Sequence, residues 1–505
     1  MAQLAIILSK YLFIVYIIVF LWHGFIAATN KNDLKKYNNS LSKQRAMLCL
    51  FHINAVIILA LAQIDNIYFI LTRGIVILMF LIFAPLLIKK LYPNCSHILW
   101  NGVLFLGDVG IITLYTLNPS LAQKQFVWHA VGFAAALVLP AILDRLPRLD
   151  KFAKFYIITA IVLLVATLIF GNDEFGSRNW ITIGAITFQP SEVVKLLFIL
   201  YLASTLSQNP SPRQLIAPSV LCVVILLCFV AQKDLGSALI FFMSFMVVVY
   251  IATSKIAYFA AGTLAAGLGA YLAYLIFPHI KVRVSAWLDP WSDIAGKGYQ
   301  IAHSLFAIAT YGLTGAGLTR GYSTSIPVVD RDFIFSAICE EFGVVFGIGV
   351  VLVFLMIFLE GAVGALNAHN RFLCMFCAGL TSLIAFQTFV ILGGVTKLIP
   401  LTGVTLPFVS YGGTSLMMCY VLAAIIQWIY QSCVQYVQTE EVQAEKPRKS
   451  REEVRTERPR KRTAEESAAP KKKTAQPAKK RKKRHADDDI SLDEVLDFNR
   501  KRERK

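Results

Sequence analysis

Apolar runs of roughly 17–25 residues, each the length of a membrane-spanning helix, recur from residue 4 to about residue 437. No other feature constrains the fold as strongly. Inside a bilayer every backbone N–H and C=O must be satisfied by the segment itself or by a closed barrel. A transmembrane barrel would alternate apolar and polar residues, and these runs do not. The fold class is therefore an all-α polytopic membrane protein. The composition agrees, with 56% of the 505 residues hydrophobic.

The runs divide into about thirteen spans near 4–27, 46–64, 67–88, 98–116, 124–144, 153–171, 190–207, 214–231, 235–253, 256–277, 333–360, 372–394 and 410–435. An excess of Lys and Arg marks cytoplasmic loops. "NKNDLKKYNNSLSKQR", "KKLYPNC", "DRLPRLDKFAK", "SQNPSPRQ" and "LNAHNR" then all fall inside, as does the basic C-terminal tail. The N-terminus falls outside. So do "GNDEFGSRNWITIGAITFQPSE", "AQKDLGS", the whole region 278–332 and "GGVTKLIPLTGVTLPFVSYGG". The inner loops are short and basic, whereas the outer loops are long and chemically rich. Long loops on a rigid scaffold are where function concentrates.

The net charge of +18 owes much to runs after residue 445 such as "RPRKR" and "KKRKKR". Such a segment reads as a disordered cytoplasmic tail, drawn to anionic membrane lipid rather than to nucleic acid. Near its end Leu492, Val495 and Leu496 have amphipathic helical spacing, which suits docking to a cytoplasmic regulator as well as it suits an inert end. The nine cysteines are scattered through apolar runs, which argues against a disulfide framework. Cys374 and Cys377 lie one turn apart inside one run, where packing outweighs redox or zinc chemistry. The first run lacks the basic flank and small-residue cleavage site of a signal peptide.

Ionisable groups at membrane depth are costly and are functional candidates by default. Glu192 and Lys195 stand at i, i+3 on one helix face directly after "QPS", where Ser191 can cap the helix. They either pair structurally or line a polar cavity. Asp108, Asp234, Glu340 and Glu341 are as well explained by helix starts and packing as by substrate contact. Arg178 and Arg283 precede two of the polar outer segments. Arginine suits phosphate or pyrophosphate, and either could equally anchor a helix end.

Five segments together, "SRNWITIGAITFQPSEVVKL", "AQKDLGSA", "LDPWSDIAGKGYQIAHSLFAIATYGLTGAGL", "DFIFSAICEEFG" and "IPLTGVTLPFVSYGGTSL", resemble the SEDS family (shape, elongation, division and sporulation). The resemblance covers roughly residues 98–437. It implies a ten-span SEDS-like helical core at 98–437, preceded by an extension at 1–97 with about three further spans and followed by a disordered basic tail at 438–505. It implies a peptidoglycan glycosyltransferase that polymerises lipid II into glycan strands, for elongation or division. It also implies a class B penicillin-binding protein as partner. The family's essential aspartate in "D-x-x-G-x-G-Y-Q" falls on Asp293, and the "QPSE-x-x-K" pair falls on Glu192 and Lys195, which line the family's central cavity. Arg331 stands where the family often has threonine.

The residue types suit that chemistry. A sugar hydroxyl must attack an anomeric carbon that bears pyrophosphate. The leaving group is good, so a single carboxylate base suffices, with a contribution of about 10²–10⁴-fold. The departing pyrophosphate needs Arg, Lys or a divalent cation as counter-charge. Trp287 and Trp291 suit a membrane interface. Gly296 and Gly298 allow a tight turn beside Asp293. A transporter or precursor flippase would also explain many spans with buried charges, and a non-catalytic scaffold for a penicillin-binding protein is a third reading. The large outer loop with its motif aspartate favours chemistry.

Overall fold

The structure, a computed structural model, describes residues 2–445 apart from 147, 175–176, 184–185 and 209. The basic tail from 446 onward, including Leu492, Val495 and Leu496, lies outside the described residues. Sixteen α-helices follow in chain order: α1 (Ala2–Thr29), α2 (Leu34–Ala62), α3 (Ile67–Leu91), α4 (His97–Leu117), α5 (Pro119–Leu143), α6 (Ala153–Phe170), α7 (Pro190–Leu206), α8 (Pro212–Ala231), α9 (Leu235–Thr253), α10 (Ile256–Ile276), α11 (Pro278–Leu288), α12 (Tyr299–Thr310), α13 (Ile334–Phe342), α14 (Val344–Leu366), α15 (Arg371–Val395) and α16 (Gly413–Glu445). Between α6 and α7 the chain forms a small antiparallel sheet, β1 (Asn172–Glu174), β2 (Ser177–Ile183) and β3 (Ile186–Phe188). The polar segment before "QPSE" is thus built on paired antiparallel strands.

Among the described residues twelve helices are long and apolar enough to cross a membrane. α7, with 17 residues, is about 26 Å long at 1.5 Å per residue. Its neighbours show that it crosses too. Asn179 in β2 donates to Asp234 at the start of α9 at 2.9 Å, so the ends flanking the α7–α8 pair meet on one face. α7 and α8 must run out and back between them, which completes the thirteen spans.

Two spans differ from their sequence reading. α2 starts at Leu34, about twelve residues before its apolar run, because Asp33 accepts hydrogen bonds from the Lys35 and Lys36 N–H groups and nucleates the helix within the basic segment. The run 333–360 is two helices, broken at Gly343, whose φ of +92° lies in the region open to glycine.

α1 packs along α2, and both lie against α4 and α14. Aromatic contacts tie them in: Phe13 to Phe342 (centroids 5.0 Å apart), Phe20 to Phe105 (4.4 Å) and Phe51 to Phe346 (5.7 Å). α4 is buried throughout its membrane span and forms the spine on which the first three helices meet the rest. α5 packs on α16, and α7 sits among α6, α9 and α15. α10 touches α9 and α11 and buries none of its residues. All nine cysteines are free, and Cys377 packs on α14 through the Gly361 carbonyl.

Candidate active site

One end of the bundle holds a cavity of about 630 Å³, within the size range of small-molecule sites. Its walls come from the starts of α5, α7, α9 and α16, from β2 and β3, from α11 and α12, and from the segments 328–332 and 401–405. Every polar segment that the sequence reading assigned to the outer loops contributes. At the opposite end the basic connectors around Arg148 and Arg371 border a separate, more open cleft with Trp428 of α16.

Glu192 and Lys195 stand on the first two turns of α7, are buried and line the cavity. Lys195 Nζ donates to Glu192 Oε1 at 2.8 Å and to Gln387 Oε1 of α15 at 3.0 Å. Gln387 Nε2 in turn donates to the Thr405 carbonyl at 2.9 Å, which ties the pair to the segment before α16. Ser191 does not cap the helix. Pro190 takes the first helical position, where its missing N–H costs nothing, so Gln189 becomes the cap residue and the buried Ser191 hydroxyl has no partner among the described residues.

Asp234 precedes α9 and lines the same space. Its carboxylate accepts from Ser237 N (2.9 Å), Ser237 Oγ (2.8 Å) and Asn179 Nδ2 (2.9 Å), so it is both helix cap and cavity wall. Arg178 lies beside Asn179, but its exposed side chain turns away. Its Nε donates to the Gly171 carbonyl at 2.9 Å, and it is not among the cavity-lining residues. Its neighbours Ser177, Asn179 and Trp180 are.

Arg283 projects from α11 into the cavity and donates to the Leu401 and Thr402 carbonyls at 3.2 Å each. Trp287, one turn on, donates to the Lys397 carbonyl at 3.1 Å. It therefore pins α11 to the segment after α15 and is no simple lipid anchor. Trp291 is about half exposed and packs on Phe306. Asp332 lines the cavity from the segment before α13. Burial pushes its carboxyl up to about 7, against the pull of Arg331 and Arg283, with Asp330 and Asp234 adding to the rise. Burial also lowers Arg283, which Asp234 and Asp332 partly offset.

Asp293 sits on the exposed turn between α11 and α12. Its carboxylate accepts from Lys297 N at 3.1 Å, and its carbonyl accepts from Gly298 N at 3.0 Å. A side chain at Gly298 would collide with the Pro290 carbonyl, so glycine is required there for a close approach. The Asp293 side chain is not part of the cavity wall, whereas Lys297, Gln300 and Ile301 just after it are. Asp289 accepts from Trp291 N in its own turn.

Six cationic side chains line the cavity (Lys124, Lys195, Lys233, Arg283, Lys297 and Arg331) against three carboxylates (Glu192, Asp234 and Asp332). The balance favours an anionic ligand such as a phosphate or pyrophosphate. No group of three or more His, Cys, Asp or Glu side chains placed to hold a metal occurs among the described residues. Lys124, Lys233, Lys297, Gln387 and Asp332 were not singled out as site residues in the sequence. Asp332 stood in a quoted motif, "DFIF", and Lys233 in another, "AQKDLGSA". Lys124 and Gln387 carry no local signal, because only packing brings α5 and α15 to the cavity.

Comparisons with known proteins place the chain among relatives. The chain is 32% identical over 373 residues to the peptidoglycan glycosyltransferase RodA of Mycobacterium bovis, covering 68% of this chain and 79% of the relative. It is 35% identical over 362 residues to the stage V sporulation protein E of Bacillus subtilis, covering 67% and 97%. Among solved structures, a chain from work on the structural coordination of polymerization and crosslinking by a peptidoglycan synthase complex aligns over 67% of this chain and 98% of its own, with 27% identity and a TM-score of 0.55. A family model covering FtsW, RodA and SpoVE, described as cell cycle protein, matches residues 90–434, a stretch that contains every cavity-lining residue, and the chain belongs to that family.

Proposed function

We propose that this protein is a peptidoglycan glycosyltransferase that polymerises lipid II, the undecaprenyl-pyrophosphate-linked disaccharide, into glycan strands. The carrying observation is the cation-rich cavity at one end of the membrane bundle, in a chain whose mycobacterial relative bears that activity in its name. The polyprenyl chains stay among the lipid-facing helices while the pyrophosphate and sugars occupy the polar space. An acceptor hydroxyl attacks the anomeric carbon at the cavity mouth, and its proton passes to the Asp293 carboxylate, which the exposed turn before α12 presents next to the cavity-lining Lys297 rather than on the cavity wall. The bond from that carbon to the pyrophosphate oxygen breaks, and the electron pair leaves with the polyprenyl pyrophosphate into the field of Lys195, Arg283 and their neighbours. A single displacement inverts the anomeric centre. Glu192 holds Lys195 in place, and Arg178 orders the hairpins that carry Asn179 and Trp180.

The core at 98–437 carries this chemistry in our reading, with 1–97 as an added support and 438–505 as a cytoplasmic tail. Orientation follows the positive-inside rule, with the N-terminus and cavity outside the bacterial cytoplasmic membrane and the C-terminus inside. The partner is a class B penicillin-binding protein that crosslinks the strands; the likeness to a chain solved as part of a peptidoglycan synthase complex supports this pairing.

The decisive experiment gives purified protein, with its penicillin-binding partner, fluorescent lipid II and separates the products by length. Glycan strands are expected from wild type and not from Asp293→Asn. A wild-type preparation that binds lipid II yet makes no strands overturns the reading. For topology, cysteine placed at the exposed Tyr322 should label from outside, and cysteine at Lys449 only after the membrane is opened.

A further inference from the structure

We infer that the cleft at the end of the bundle opposite the active site binds an anionic phospholipid, with Arg148 and Arg371 on its phosphate and the apolar wall of the cleft against the start of its acyl chains. The inference stands apart from the glycosyltransferase reading. It takes from the positive-inside orientation only the leaflet, which is the inner one.

The cleft has a volume of about 630 Å³. It lies where the ends of α5 and α7, the start of α15 and the far part of α16 come together. The apolar span of α16 ends at Val434, so Trp428 and Ser432, which line the cleft, stand in its last two turns. The other lining residues come from helix ends and from the basic connectors before α6 and α15. The cleft therefore sits at the level where hydrocarbon gives way to lipid headgroups. Tryptophan is enriched at that level.

Its charge is positive. Arg148 lines the cleft, is exposed, and forms no ion pair among the described residues. Arg371 opens α15, and its Nη2 donates to the Ala252 carbonyl at the end of α9 at 3.2 Å, which anchors the guanidinium at the edge of the cleft. Among the described residues Asp150 is the one carboxylate that lines it. Asp144, on the same connector, is occupied, since its Oδ1 accepts from Trp428 Nε1 at 2.6 Å. Lys151 and Lys154, both exposed just beyond Asp150, offset that carboxylate. Two guanidinium forks against one carboxylate suit a phosphate.

The remaining wall is apolar. Leu146, Leu149 and Phe372 line the cleft beside the arginines, and Leu146 is 46% exposed. Free phosphate would gain nothing from these side chains. A phospholipid presents phosphate and hydrocarbon a few bonds apart, and basic pockets between helix ends on the cytoplasmic side suit anionic lipid heads. The tail from 446 onward also carries basic runs that attract anionic lipid without fixed geometry. Total lipid binding therefore cannot report on the cleft, and the readout must resolve position along the chain.

The test mixes the purified full chain in detergent with phosphatidylglycerol that bears a photo-crosslinking group near its glycerol. Phosphatidylcholine with the same group is the parallel probe, and labelled peptides are identified by mass spectrometry. Peptides covering 143–154 and 369–373 should take at least tenfold more label from phosphatidylglycerol than from phosphatidylcholine. Arg148→Gln and Arg371→Gln should each lower that label about tenfold, as expected for hydrogen bonds to a charged group, while label on 446–505 stays unchanged. Should Arg371→Gln fail to fold for want of its bond to Ala252, Arg148→Gln decides. Equal labelling of these peptides by the two lipids overturns the inference, as does wild-type labelling in both variants. Inorganic phosphate that competes as well as unlabelled phosphatidylglycerol also overturns it, by assigning the cleft to a free anion. Labelling needs no turnover, so its outcome is independent of strand synthesis.

Discussion

Charge is buried at two places in this bundle, in opposite ways. Around α1–α4 the charged groups pair in a packed interior. His52 bridges Asp108 Oδ1 at 2.6 Å and the Gly74 carbonyl at 3.0 Å. Lys31 meets Glu360 at 2.9 Å, and Ser96 donates to the same carboxylate at 2.7 Å. Asn101 donates to Gln44 at 2.9 Å. Phenylalanines surround this region. In the active-site cavity, by contrast, Glu192 and Lys195 also pair, but beside open space and an excess of cations. Both regions obey the rule that buried charge must be paired. Open space lined by surplus charge separates a site from a structural joint.

Four experiments test that contrast. The largest effect should come from Asp293→Asn, with polymerisation down by about 10²–10⁴-fold at unchanged membrane levels, as read by strand synthesis and immunoblot. Asp289→Asn should lose far less, since the family's motif aspartate falls on Asp293 and not on Asp289. The reverse order would move the base to Asp289.

Next in size is His52→Ala, which leaves Asp108 buried without its partner. Breaking such a pair costs about 3–5 kcal/mol, so the melting temperature in detergent should fall by several degrees while turnover per folded molecule stays at the wild-type level. A turnover defect in the folded fraction would erase the distinction between the two regions.

Lys195→Met should raise KM for lipid II or lower kcat by tenfold or more, with the protein still inserted. If it only lowered expression and left the surviving molecules fully active, the Glu192–Lys195 pair would belong with the closed joints of α1–α4.

The last test concerns Asp332 and reads stability rather than turnover. Its carboxyl titrates near 7 in the folded protein and near 3.9 unfolded. A raised pKa means stability that is fully present below about pH 4 and is lost as pH rises toward about 7. Asp332→Asn removes that loss, so the variant should gain thermal stability over wild type at pH 8 and little at pH 4. An equal shift at both pH values would show that the carboxyl is not held in its neutral form.

Much of this architecture was legible in the chain. The apolar runs announced thirteen spans, and α7 proved to cross although it is the shortest of them. The "QPSE-x-x-K" motif placed Glu192 and Lys195, and the suitability of arginine for phosphate placed Arg283, on segments that do meet in one cavity. Arg178 and Asp293 were chosen by the same reasoning, yet Arg178 is occupied by the Gly171 carbonyl and Asp293 lies on an exposed turn. Nothing in the local sequence of either distinguishes a side chain that faces the cavity from one that faces the hairpin backbone or solvent.

The sequence by itself determined what a bilayer demands locally: apolar length, helical backbone satisfaction within each segment, and basic connectors kept apart from the chemically rich ones. Those requirements are met within some twenty consecutive residues and can be read there. Only the tertiary structure decided that His52 would meet Asp108 across 56 positions and that Lys195 would meet Gln387 across 192. It also decided that Lys124 and Asp332 would line one cavity. A side chain's partner is set by which helices pack and at what rotation, and that is settled by the sum of many weak contacts along whole faces, not by the residues on either side of it.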